Sequence, residues 1–239
     1  MAREAISLRP GPGPDGRLPD PRTREGMPDL YAYAHLLADE KRRRPGDDVM
    51  SILLAQVDDD GGRVDVAEFE NMFWLFAVAG NETLRNGLPG ACIALLEHPD
   101  AQGELRADPA AMPRAVDEML RWWTPVMTFR RTATADCELG GQQIRAGDKG
   151  VVSFSSANRD EAVFGNAGRL DIRRYPNPHL VFGHGPHFCL GAHIARAQMR
   201  ALFAEVLART SALAYAGEPS FLRSNFQRGV KRLPIAWTA

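Results

Sequence analysis

Phe182 to Gly191 read FGHGPHFCLG, and the run that follows, AHIARAQMRALFAEVLA, repeats apolar residues at Ile194, Met199, Leu202, Phe203 and Val206. That spacing predicts a helix. A glycine-rich turn therefore delivers one cysteine, Cys189, to a helix start. There the unpaired backbone N–H groups and the positive end of the helix dipole favour a thiolate over a thiol, and a thiolate is a metal ligand. Gly185 and Gly191 carry no side chain, so a large flat group has room to approach the loop backbone, and Phe182 is placed to cover the sulfur on its other side. A lone cysteine is more often core filling. His184, His187 and His193 crowd the same stretch, so zinc is a competing reading, but zinc ligands usually come in two paired clusters and no second cluster follows.

The ten residues match the F-x-x-G-x-x-x-C-x-G signature and resemble the cysteine loop of the cytochrome P450 superfamily. The resemblance implies that Cys189 is the thiolate ligand of a haem iron. It also implies haem b (iron protoporphyrin IX) as cofactor, with Phe182, Gly185, His187 and Gly191 around it.

Further up the chain lies the longest helical candidate. Asp65 and Glu68 form a D-x-x-E capping box, and apolar residues continue from Phe69 through Leu96. Gly80, Gly87, Pro89 and Gly90 interrupt it, each glycine costing about 1 kcal/mol relative to alanine, so a packing contact or a function is expected there. Within it, Ala79-Gly80-Asn81-Glu82-Thr83 fits A-G-x-[DE]-T. By itself this is also readable as a mid-helix polar patch facing solvent. The resemblance places it over the oxygen-binding face. Gly80 then leaves room for dioxygen, and the Thr83 hydroxyl and the Glu82 carboxylate deliver protons.

Glu118 and Arg121 stand three apart as E-x-x-R on one helical face, a pattern common on exposed helices. In the family such a pair is a structural element, and its third arginine aligns with Arg169 in GRLD. The family likeness further assigns Arg131 to a haem propionate alongside His187. Ala79, Val126 and Phe226 are assigned to the substrate pocket, with Phe226 on a C-terminal hairpin.

The 239 residues are 44% hydrophobic and 25% charged with a net charge of −1, ordinary for a soluble globular chain and without the basic excess that nucleic acid demands. Three widely spaced cysteines, Cys92, Cys137 and Cys189, argue against a disulfide framework and for a reducing cytoplasm. No apolar stretch is long enough for a membrane span. Met1 to Pro28, dense in Pro, Gly and charge, reads as a flexible tail, and residues 29–239 as the folded portion. Helices are predicted over Asp29–Arg44, Asp48–Gln56 and Asp108–Trp123, with an acidic turn over Asp58–Gly62. Short strands, forming one small sheet, are predicted over Thr128–Thr134, Asp136–Leu139, Gln143–Ile144 and Lys149–Ser155.

The expected fold is mainly α with a small β region, resembling a cytochrome P450 that lacks its N-terminal part. The expected function is that of a haem-thiolate monooxygenase, truncated on its substrate-selecting side, which hydroxylates a small hydrophobic substrate. Its expected partners are a ferredoxin-type or flavin electron donor at the proximal face and, through an exposed distal surface, a second copy of itself. No nucleic acid is expected, and the expected location is cytoplasmic. The alternatives are a haem-binding remnant without turnover and a zinc-stabilised structural domain.

Overall fold

The computed structural model describes residues 23–56 and 61–238, together with residues 14, 16, 17, 19 and 20. Most of the Pro/Gly-rich tail and the acidic run 57–60 lie outside the described residues. The chain divides into two compact units, Met1–Asn81 and Glu82–Ala239, and the boundary falls within the longest helix.

In the first unit, α1 (Pro28–Arg43) starts on a proline, and Asp29 in its first turn and Lys41, Arg42 and Arg43 in its last match the helix dipole at both ends. A turn over Thr23–Met27 leads into it. The short α2 (Val49–Ala55) is capped by Asp48, whose side chain accepts from the N–H groups of Met50 and Ser51, both at 3.1 Å. Among the described residues of this unit one charged side chain is buried. The Glu70 carboxylate is paired with Arg24 and lies 3.2 Å from His35 Nδ1.

The predicted long helix is a single element, α3 (Val66–Glu97), about 48 Å long at 1.5 Å per residue. Its capping box forms as the sequence suggests: Glu68 N–H donates to Asp65 Oδ1 at 2.8 Å and Asp65 N–H to Glu68 Oε2 at 3.0 Å. Pro89 does not break it. A Cβ built on Gly90 would lie 2.1 Å from the Trp123 ring, so this interior glycine is required by helix packing.

The core of the second unit is a contiguous apolar cluster. Ala91, Ala94 and Leu95 of α3 meet Val116, Met119 and Leu120 of α5 (Met112–Trp123) and Met199, Phe203 and Leu207 of α7 (Ala192–Arg209). Between α3 and α5 stand α4 (Pro99–Ala107), which sequence reading did not single out, and a 3-10 turn, Pro109–Ala111. The helix predicted from Asp108 thus begins at Met112, with Pro113 in its first turn. Thr124, at φ 50°, ends α5 and sends the chain into its β region.

The expectation of one small sheet is corrected: the strands form separate antiparallel two-stranded ribbons. β1 (Thr128–Thr132) pairs with β4 (Lys149–Ser153), and β2 (Cys137–Leu139) with β3 (Gln142–Ile144). β5 (Ala212–Tyr215) pairs with β8 (Ile235–Thr238), enclosing the short hairpin of β6 (Ser220–Phe221) and β7 (Val230–Arg232). Which strands pair is set by tertiary contacts, not by the residues within each run. After β4 comes a one-turn helix, α6 (Phe154–Ala157), and then a long irregular segment that reaches α7.

Candidate functional site

The cysteine loop is shaped by its own backbone. Gly183 and Gly185 adopt φ of 75° and 63°, values that residues with a side chain rarely reach. At Gly183 an added Cβ would also stand 3.0 Å from the His187 carbonyl oxygen. A 3-10 turn over Gly185–His187 follows, and the Cys189 N–H closes the loop on the Phe182 carbonyl at 2.8 Å. The Cys189 carbonyl in turn accepts from Ala192 N–H, the first residue of α7, at 3.2 Å. Cys189 is exposed, whereas the Phe182 ring is buried in the core. Phe182 thus supplies the carbonyl that closes the loop, and its ring packs in the core beneath it.

A buried polar network holds the segment leading into this loop. Arg121 and Glu118, both fully buried, form a two-point ion pair, Nη2 to Oε1 at 2.7 Å and Nε to Oε2 at 2.8 Å. Arg121 Nη1 also donates to the carbonyls of Asn158 and Ala167 at 2.7 and 3.0 Å. Glu118 accepts from the Asp171 N–H at 2.9 Å and from Asn177 Nδ2 at 3.2 Å. Asn158 accepts from the Leu180 N–H at 2.7 Å. An i, i+3 pair that sequence alone leaves readable as a surface contact is thus a buried, hydrogen-bonded cluster, although Asn177 Oδ1 has no partner among the described residues.

Its third arginine is a correction. Arg174, not Arg169, reaches Glu118, donating from Nε to Oε2 at 3.0 Å. The turn Asn166–Arg169, opened by Asn166 at φ 54°, leaves the Arg169 side chain exposed and contributes only its carbonyl. The next turn, Asp171–Arg174, brings the chain back. Three arginines fall between residues 169 and 174, and only these two turns select among them.

The remaining expected site residues are placed as follows. Ala79 and Gly80 are exposed on α3, and a Cβ on Gly80 would meet nothing within 4 Å. On the next turn Thr83 is half-buried, and the Glu82 carboxylate accepts from Arg85 at 2.9 Å and from Asn86 at 3.3 Å. Asn86 Nδ2 also donates to Gln227 Oε1 at 3.3 Å, tying this turn to the β6–β7 hairpin. Val126 bridges Gln227, and Phe226 lies 5.6 Å from Phe129 ring to ring, so Val126 and Phe226 come together. Arg131 is exposed on β1 and His187 exposed in the cysteine loop; neither has a carboxylate partner among the described residues. An apolar groove of about 750 Å³ runs along Leu88, Cys92, Leu202, Val206 and Trp237. Burial there pushes the Cys92 thiol up to about 11.

Comparison with known proteins agrees with this geometry. The family profile described as Cytochrome P450 matches residues 111–220. The chain is 41% identical over 217 residues to cytochrome P450-terp of a Pseudomonas species, covering 91% of this chain and 50% of that protein. It is 41% identical over 212 residues to the methyl-branched lipid omega-hydroxylase of Mycobacterium bovis, covering 88% and 49%. The solved structure of Mycobacterium marinum cytochrome P450 CYP268A2 in complex with pseudoionone superposes with a TM-score of 0.82 at 46% identity, covering 88% of this chain and 51% of that one. By sequence and by fold the chain belongs to the cytochrome P450 family. It spans about half the length of the curated relatives it matches.

Cytochromes P450 are haem-iron proteins, and the residues at the loop of this P450 chain fit that group. One exposed sulfur is offered, flanked by exposed Phe188, Leu190 and Ile194, and the space beside Gly185 is open. The unpaired basic groups Arg131 and His187 suit the propionates of a haem. Among the described residues no three His, Cys, Asp or Glu side chains come together to hold a metal ion. The zinc-stabilised alternative therefore lacks a ligand set: His184, His187 and His193 project from a loop and a helix start without converging.

Proposed function

We propose that this chain is the iron-binding portion of a haem-thiolate monooxygenase acting on a hydrophobic small molecule. The observation that carries the reading is Cys189: exposed, backed by the Phe182 carbonyl and leading into α7, in a loop that matches the P450 signature residue for residue. Cys189 Sγ would be the thiolate that holds the iron, and a thiolate ligand would donate electron density to it. When bound, haem supplies the activation of dioxygen for insertion into a C–H bond. Arg131 and His187 hold its propionates.

The chain's other residues steer protons and substrate. Thr83 Oγ1 holds the proton delivered to the oxygen side, and Gly80 leaves the backbone open beside it. Glu82 resupplies that proton. Its pair with Arg85, whose side chain is 74% exposed, is of the surface kind worth about 0–1 kcal/mol, so the carboxylate can leave it at little cost. Val126 and Phe226 line the substrate side, the role that the family likeness also gives Ala79. The hydrophobic substrate class draws on the relatives, which include a lipid omega-hydroxylase and a P450 solved with pseudoionone. Electrons come from a ferredoxin-type or flavin protein at the proximal face. Among the described residues no helix is long and apolar enough to cross a membrane; the proposed setting is cytoplasmic. A haem-binding remnant without turnover is the second reading.

The deciding measurement is the absorption spectrum of the reduced, carbon-monoxide-bound protein. The parent, Cys92→Ala and Cys137→Ala should give the band of thiolate-ligated haem, and Cys189→Ala should lose it. An unchanged band in Cys189→Ala would sink the assignment. Product formation with a supplied electron donor then separates the monooxygenase from the remnant.

A further inference from the structure

One carboxylate oxygen on α5 anchors the chain on both sides of the cysteine. Asp117 Oδ1 accepts from Arg196 Nε at 2.7 Å and from His179 Nε2 at 3.2 Å. His179 precedes Cys189 by ten positions, and Arg196, on α7, follows it by seven. The Val181 N–H points at His179 Nδ1 at 3.4 Å, so Nε2 is the nitrogen that carries the proton toward Asp117.

The two anchored side chains converge on one ring. The Arg196 guanidinium carbon sits 4.4 Å from the centroid of Phe182, and the His179 ring lies 5.8 Å from it. Phe182 is the residue whose carbonyl accepts the Cys189 N–H. Carboxylate, cation, imidazole and ring thus form a continuous path from α5 to the backbone amide of Cys189. The His179 side chain is only 3% exposed, so its N–H has no water to turn to once its acceptor is removed. Partial burial raises the Asp117 carboxyl, but the hydrogen bonds from His179 and Arg196 outweigh it and hold the group below the usual carboxylate range. Asp117 therefore stays charged opposite Arg196. None of these contacts belongs to the neighbouring Glu118 cluster, which holds Asp171, Arg174 and Asn177 instead.

We propose that Asp117 is the positioning residue of the Cys189 loop, acting through His179 and Arg196 without touching the ligand itself. The proposal rests on the assignment of Cys189 as the iron ligand for its spectroscopic arm only. The first arm needs no haem: amide hydrogen exchange of the 239-residue chain, comparing Asp117→Ala with Asp117→Asn. The alanine variant should speed exchange over residues 180–191 by about tenfold, the equivalent of about 1.4 kcal/mol, and leave the β1–β4 ribbon at the parent rate. The asparagine variant keeps an acceptor oxygen at the same place and should remain close to the parent.

In the second arm, with haem bound and carbon monoxide added to the reduced protein, Asp117→Ala should lose part of the thiolate-type band while Asp117→Asn retains it. Loop exchange at the parent rate in Asp117→Ala overturns the proposal. So does acceleration spread evenly over the whole chain, which is the signature of a general stabiliser. Should Asp117→Ala fail to fold, His179→Phe keeps ring volume against Phe182 but offers Asp117 no N–H. Faster exchange over residues 180–191 in that variant supports the proposal, and parent-like exchange overturns it.

Discussion

At the residue scale the most informative side chain is Arg174. Its Nε meets Glu118 at 3.0 Å, and Nη1 donates to the Gly165 carbonyl at 2.8 Å. One guanidinium thus ties the buried ion pair to the turn that carries Arg169. Losing it removes a charged hydrogen bond from a carboxylate that stays buried with Arg121, and such bonds contribute about 1.5–3 kcal/mol. Arg174→Ala should lower the unfolding free energy by about 2 kcal/mol in denaturant titration. Arg169→Ala, which removes an exposed side chain and keeps the carbonyl the network uses, should stay within about 0.5 kcal/mol of the parent. The reverse order would restore Arg169 as the third member.

At the element scale α3 contains two kinds of glycine, told apart by what surrounds them. Gly90 lets α3 press against Trp123, whose indole N–H donates to the Arg228 carbonyl at 3.2 Å and whose ring is stacked by the Arg228 guanidinium at 5.2 Å. The ring is held on both sides and has little freedom to yield. Gly90→Ala should therefore destabilise by about 1–3 kcal/mol or more, the range for overpacking a filled core. Gly80 has open space where a Cβ would stand, and Gly80→Ala should stabilise the helix by up to about 1 kcal/mol. Thermal unfolding of the two variants checks the opposite signs. A glycine that costs stability without serving packing is what a site needing backbone access would retain, and this agrees with the role proposed for Gly80.

At the scale of the whole molecule, each unit leaves large apolar side chains exposed. The groove along α3, α7 and β8 exposes Trp237 by 69% and Leu202 by 42%, and on the first half of α3 Leu75 and Val78 are exposed as well. Met72, Phe73 and Phe76 are only half-exposed, so they make up less of this surface than the long apolar run in the sequence suggests. Contiguous apolar patches beyond a few hundred Å² are normally covered by a partner or a second copy. The 239-residue chain is accordingly expected to sediment above its monomer mass at micromolar concentration, and Trp237→Glu to shift it toward monomer. A parent that stays monomeric over that range would count against association.

What the sequence determined by itself is whatever depends on neighbours along the chain. FGHGPHFCLG dictates a glycine-turned loop before a helix because positive φ and helix capping are local properties. The Asp65–Glu68 box starts α3, and E-x-x-R places two opposite charges on one face. The family follows from these same contiguous motifs. Only the tertiary structure decided which arginine completes the Glu118 cluster, that Asp117, one position away, serves a different pair of partners, and that Gly90 exists for Trp123. Those contacts join residues 33 to 79 positions apart. They depend on how the turns over 165–174 are wound and on how closely helices approach, quantities that emerge only when the irregular segment packs against α5 and α7. The strands show the same limit: turn residues set off the β-type runs between 128 and 155, but pairing is a long-range choice, and it yielded separate ribbons where one sheet was expected.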